Sequence, residues 1–295
     1  MLRRMFLIRP PAVLTHTLAT ALTPLLWGST YLLAGELFHS AGPMTLAMIR
    51  TLPAGALLLI ATRSWRPAIP FYRLLVLSLL NITGFQSLLF LAARLLPGGI
   101  AALAGSLQPI LLMFLVWWLD RRRPRPLAIA AALLGIAGVG MVMLSHHAAY
   151  DPAGLLAGFA ATLCMAVGTY LSVRWRETSA PIPLIGWQLL LGGLVLLMPA
   201  LIFEDQPARW SPAQWVGFGY LVLFATAAAY ALWFRGLALL PPVAVSALGL
   251  LSPVTALLLG WCFLGQSLGI HQLFGVAAVL ASVAVLQTTA GRPTR

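Results

Sequence analysis

Five polar residues sit deep inside long apolar stretches of this chain: Arg50, Asn81, Gln108, Thr226 and Ser252. None has a base, a metal-ligand partner or a phosphate-binding loop beside it, so the chemistry they can do is recognition rather than bond making. In hydrocarbon an amide or guanidinium must find a partner, so each must face protein or a wet cavity rather than lipid. A charge at that depth is costly and is a functional candidate by default; Arg50 can meet a substrate carboxylate or can brace helices by capping carbonyls. For Asn81 and Gln108 the alternatives are a cavity wall or an interhelical bond of roughly 1 kcal/mol or less. A second set lies nearer the ends of the stretches. Trp27, Tyr31 and Gln86 fall toward one side and Tyr170 and Tyr230 toward the other, so each set is a candidate to close one end of a central cavity. The alternative for an aromatic at that depth is an interface anchor.

The acids say as much by where they are not. Glu36, Asp120, Asp151, Glu177, Glu204 and Asp205 all fall between apolar stretches or at their ends. A cation exporter needs a buried carboxylate to offset desolvation of its cargo, so neither that activity nor an intramembrane carboxylate relay is expected. His146 and His147 form a loop pair without further ligands, so no metal and no cofactor is expected. With no nucleophile, acid/base pair or metal set, the chain does not read as an enzyme. Cys164 and Cys262 differ in depth by about 10 Å at 1.5 Å per residue, which forbids a disulfide.

The elements that must carry these residues follow from composition. The chain has 295 residues, of which 61% are hydrophobic and 8% charged, and its mean hydropathy is +0.95. Apolar runs of roughly 20 residues, the span of a bilayer core, recur along the whole length. Ten helical spans are expected, near 13–34, 43–62, 71–93, 98–119, 126–145, 153–173, 182–203, 213–234, 241–263 and 271–289. The net charge of +12 comes entirely from arginines scattered in short clusters between runs, a topogenic pattern and not a nucleic-acid surface. Fifteen arginines fall on one side and only Arg94 and Arg209 in the opposite loops. Both termini are therefore expected on the cytoplasmic side of a bacterial-type inner membrane. Ala19-Thr20-Ala21 could pass for a signal cleavage site. Retention is expected, because Gly28-Ser29-Thr30-Tyr31 is echoed by Val167-Gly168-Thr169-Tyr170 in the second half.

That echo is one of several. Leu95–Trp117 recurs 144 residues later as Leu239–Trp261 with eight of 23 positions identical, including Pro97/Pro241, Gly105/Gly249, Pro109/Pro253 and Trp117/Trp261. Pro43–Gly55 matches Pro181–Gly193, which sets Arg50 against Gln188. A duplicated unit of five spans must enter the membrane upside down the second time. The expected fold is an all-α polytopic membrane protein, ten transmembrane helices as two inverted five-helix repeats, 1–150 and 151–295. Pro109 and Pro253 should free carbonyls that bend the helix or line a cavity. Gly135, Gly138 and Gly140, with Gly275, Ala278 and Ser282, should let spans five and ten pack closely.

Trp27-Gly28-Ser29-Thr30-Tyr31, Leu80-Asn81-Ile82, Leu96-Pro97-Gly98-Gly99, Gln108-Pro109, Trp187-Gln188, Leu232-Trp233-Phe234-Arg235-Gly236 and Leu250-Leu251-Ser252-Pro253 resemble the EamA-type exporters of the drug/metabolite transporter superfamily. Within it they are most similar to a subgroup of blue-pigment (indigoidine) exporters. The resemblance implies a cavity lined by spans one, three, four, six, eight and nine, with five and ten peripheral. It implies export of small neutral, zwitterionic or weakly anionic metabolites by alternating access. The nearest alternative is an amino-acid exporter of the same superfamily; the alternative of another class is a non-transport scaffold or receptor. The expected partners are a small-molecule substrate and the lipid bilayer.

Overall fold

The structure is a computed structural model that describes residues 10–38, 41–96, 103–143, 151–176, 179–205, 209–265 and 267–289. Ten helical rods follow one another: α1 (Pro10–Leu37), α2 (Pro43–Thr62), α3 (Phe71–Leu95), α4 (Leu103–Asp120), α5 (Pro126–Met143), α6 (Pro152–Trp175), α7 (Pro181–Phe203), α8 (Pro212–Leu239), α9 (Pro242–Leu264) and α10 (Ile270–Thr289). Nine of these are long and apolar enough to cross a membrane by length and composition. The tenth, α1, has 28 residues but carries five threonines and one serine. It uses them inward: Thr23 Oγ1 donates to Ala229 O at 3.0 Å and Ser29 Oγ meets Tyr220 Oη at 2.7 Å, both on α8. Leu14, Leu18 and Leu22 on its other side are exposed, as a lipid-facing stripe should be.

Starts are set by proline and caps. Of the rods after α1, six begin at a Pro-first turn, where the missing N–H costs nothing. Ser211 adds a capping box with Gln214 at the head of α8. At the α2 start the two orphan N–H groups of Met44 and Thr45 are taken by the Glu204 carboxylate at 2.9 and 2.7 Å, tying the end of α7 to the head of α2.

The packing repeats itself. α2 crosses α7, and α5 lies along α10; α3 against α6 is matched by α8 against α1, and α4 against α6 by α9 against α1. At the first crossing a Cβ on Gly55 would strike the Leu190 backbone, and one on Gly193 would strike Leu52. At the second, Gly138 and Gly275 each sit 2.7–2.8 Å, measured from an added Cβ, from the other's carbonyl. Side chains at these places are excluded by contact, which is how small residues let membrane helices approach. At the first crossing the repeat exchanges the two contacts, Gly55 on Leu190 and Gly193 on Leu52, so the pseudo-two-fold axis of the inverted repeat passes between α2 and α7.

Two irregularities are also duplicated. α3 and α8 each contain a π-helical turn, Leu79–Gly84 and Leu223–Ala228. α4 and α9 are each broken by a tight turn, just before Gln108-Pro109 and Ser252-Pro253. The expectation of a carbonyl freed toward a cavity changes here: Gly249 O is taken by the Ser252 N–H at 3.0 Å, an i→i+3 turn that absorbs the proline's missing bond. Pro97-Gly98-Gly99 and His146-His147 lie outside the described residues.

Candidate functional site

Between the repeats lies a cavity of about 100 Å³, bordered by seven helices, α1, α2, α3, α4, α6, α8 and α9. Of the predicted site residues it brings together Arg50, Gln108 and Ser252, and of the predicted closing residues Trp27, Gln86 and Tyr230. α5 and α10 do not reach it, and α2 does, through Arg50.

Arg50 is 3% exposed and, among the described residues, is the one charged side chain on the cavity wall. Its Nε donates to Thr226 Oγ1 at 2.8 Å and its Nη2 to Ala225 O at 2.7 Å, while its guanidinium lies over the Phe90 ring at 5.8 Å. A π turn displaces the backbone bonding pattern by one residue, and Ala225 and Thr226 sit inside that turn of α8. Thr226 therefore stands behind Arg50 and is absent from the cavity wall.

Gln86 Nε2 donates to Tyr230 Oη at 2.8 Å. The two were expected at opposite ends, and the structure brings them into one pair. Helical side chains lean toward their own N-terminus, so on antiparallel α3 and α8 the two lean toward each other. They are 144 residues apart, the same offset that relates the repeats, so this pair too lies on the axis. Trp27 packs on the Tyr230 ring at 5.4 Å and on Trp233 at 5.0 Å.

Three buried polar atoms on this wall have no hydrogen-bond partner among the described residues: Gln86 Oε1, Gln108 Nε2 and Thr30 Oγ1. Their side chains belong to residues 2%, 8% and 7% exposed. A buried unpaired polar atom costs about 1–3 kcal/mol, so three on residues that border one space make it the candidate polar site. Thr30, Ser106 and Thr162 also line the wall. Sequence reasoning singled out none of these three as a site residue, although Thr30 lies inside the duplicated Gly-Ser-Thr-Tyr motif.

Asn81 does not reach the cavity. It is fully buried between α3, α6 and α7, where its Nδ2 donates to Ser172 Oγ at 2.9 Å and to Gln188 Oε1 at 2.8 Å. Gly168 makes room for it, since a Cβ there would strike Asn81 Oδ1.

Tyr170 lies beyond the cavity, toward the helix ends. Its hydroxyl donates to Asp120 Oδ1 at 2.8 Å, and Arg174 Nη1 donates to the same oxygen at 2.8 Å and to Tyr170 Oη at 3.0 Å. Leu112, Leu115, Ala166 and Tyr170 fill the seam between α4 and α6 that leads there from the cavity. The side chain of Tyr31 lies outside the described residues.

A cavity walled by two matched five-helix units invites comparison with known proteins. The model of the EamA-like transporter family matches twice, over residues 15–144 and 152–288. The chain belongs to the EamA-like transporter family. Protein PecM of Dickeya dadantii is 38% identical over 266 residues, 90% of this chain and 89% of PecM. The uncharacterized inner membrane transporter YedA of Escherichia coli K12 is 24% identical over 89% of this chain and 87% of its own length. A crystal structure with 22% identity superposes with a TM-score of 0.80 over 93% of this chain and 98% of that one. As an EamA-like transporter the chain is a multi-pass membrane protein and not an enzyme.

Proposed function

We propose that this EamA-like protein exports small neutral, zwitterionic or weakly anionic metabolites across a bacterial-type inner membrane by alternating access, using the cavity between its repeats. The observation that carries this reading is that Thr30, Gln86 and Gln108 line one space and each holds a buried polar atom without a hydrogen-bond partner among the described residues. The units are 1–150 and 151–295, and both termini are cytoplasmic, from the arginine bias. A pigment such as indigoidine is a substrate within this range, on the resemblance to that exporter subgroup. The site is Arg50, Gln108 and Ser252 with Thr30. Trp27, Gln86 and Tyr230 form its floor. Tyr170, with Asp120 and Arg174, closes the face that carries the termini. Asn81 and Thr226 hold the wall from behind.

The test is uptake of labelled metabolites into proteoliposomes by the wild type and by Gln108→Trp, which fills the cavity. The wild type should exchange label, and the folded, filled variant should not. Undiminished transport by Gln108→Trp would remove the cavity from the pathway.

A further inference from the structure

The turn that joins α4 to α5 reads Arg121-Arg122-Arg123-Pro124-Arg125. Arg121, Arg122 and Arg123 are exposed, and their side chains have no hydrogen-bond or ion-pair partner among the described residues. The acid beside them is already engaged, since Asp120 accepts from Tyr170 and Arg174. The arginine bias that orients the chain accounts for basic residues on this face. It does not account for where Arg121 stands. Arg121 ends α4 in the left-handed backbone region, at φ 58°. Its repeat equivalent at the end of α9 is Gly265, at φ 63°. Glycine takes that conformation freely, and a residue with a Cβ is strained there. The second turn as a whole, Gly265-Gln266-Ser267-Leu268-Gly269, carries no charge.

A second feature sits on the α4 turns just before these arginines. Phe114, Trp117 and Trp118 are exposed and meet one another, Phe114 stacked on Trp118 at 6.5 Å and edge-on to Trp117 at 6.3 Å. Spacings of three and four put the three rings on one face of the helix. Tryptophan at that depth belongs at the headgroup level of a bilayer. The α9 copy keeps only Trp261, with Leu258 and Cys262 in place of Phe114 and Trp118. Arginine forks match phosphate oxygens two at a time. Four arginines immediately beyond a span form the charge pattern that holds anionic lipid. We propose that the α4–α5 turn is a binding site for the headgroup of an anionic phospholipid in the leaflet on the face that carries the termini. Its phosphate lies against Arg121, Arg122 and Arg123, and its glycerol and upper acyl chains lie along the Phe114–Trp118 face.

The experiment is native mass spectrometry of the purified full-length protein, titrated with phosphatidylglycerol and with phosphatidylcholine of the same chains. The wild type should hold phosphatidylglycerol on the order of tenfold more tightly. The double variant Arg122→Gln, Arg123→Gln should lose most of that preference and keep a melting temperature near wild type, because both side chains are exposed and unpartnered. Arg122→Gln alone should lose part of it and carries the test should the double variant fold poorly. Removing the same charge elsewhere, in Arg292→Gln, Arg295→Gln, should leave the preference intact. Trp118→Ala should weaken both lipids several-fold and leave their ratio unchanged. Equal retention of the two lipids by the wild type overturns the proposal. So does a preference undiminished by the Arg122 and Arg123 substitutions, or one lost equally in Arg292→Gln, Arg295→Gln, which would make it an effect of net charge. Displacement of phosphatidylglycerol by inorganic phosphate at millimolar concentration would make this a site for free anions and overturn the lipid assignment.

Discussion

The two repeats place polar pairs at equivalent points and fill them with different chemistry. In one half Gln188 of α7 meets Asn81, inside the π turn of α3, and Ser172 backs the pair. In the other, Arg50 of α2 meets Ala225 and Thr226, inside the π turn of α8. The first pair is sealed between helices. The second borders the cavity. The same geometry seals an amide pair between helices on one side and leaves a guanidinium beside the cavity on the other, so the duplication kept the scaffold and changed its residues. The closing contacts are unequal in the same way. Asp120, Tyr170 and Arg174 have Leu264, Tyr31 and Gly35 as their repeat equivalents, which offer no ion pair at the opposite face.

The largest effect should come from making the halves alike in the wrong direction. Gln188→Arg puts a cation where no cavity lies, opposite Asn81. It should destabilise by about 3 kcal/mol or more, read as loss of folded protein in detergent. Arg50→Gln, the reverse change, should keep more folded protein and reduce transport, because it alters the cavity wall. Next come the two amides. Gln108→Ala should cut transport severely with little change in melting temperature. Asn81→Ala should cost roughly 0.6 kcal/mol and reduce transport only in proportion to folded protein. If Asn81→Ala cripples transport in fully folded protein, the division into brace and cavity is wrong. The smallest effect on stability should be that of Tyr170→Phe, because the Arg174–Asp120 pair it joins is partly exposed, with Arg174 at 59%, and such pairs contribute little. Its effect should show in which face of the membrane reaches the cavity.

Much of this was legible in sequence. Ten rods, the inverted duplication and the small-residue contacts of α5 with α10 all follow from run length, the 144-residue offset and glycine spacing. Gln108 and Ser252 are legible as polar residues deep in apolar runs, each just before a duplicated proline. The division between Asn81 and Gln108 was not legible, because both are mid-depth amides and only the rotation of α3 tells which one meets α7. Rotation depends on the π turns, and neither Leu79–Gly84 nor Leu223–Ala228 carries a proline or other local signal for one. Thr226 was seen as polar and deep but not as the group behind Arg50, since that contact joins residues 176 apart. Gln86 and Tyr230 read as opposite ends because their backbone depths differ, and the convergent lean of long side chains on antiparallel helices brings their tips together.

The central claim is that one cavity between the repeats is reached from each face in turn. Gly105 borders that cavity, and a Cβ added there meets nothing within 4 Å, so a cysteine fits. In a background with Cys164 and Cys262 replaced by alanine, Gly105→Cys would be labelled with a membrane-impermeant thiol reagent in right-side-out and inverted vesicles. Labelling is expected from both faces, and Tyr170→Phe or Asp120→Asn should raise it selectively from the face that carries the termini. Labelling from a single face, unchanged by either substitution, would contradict the account.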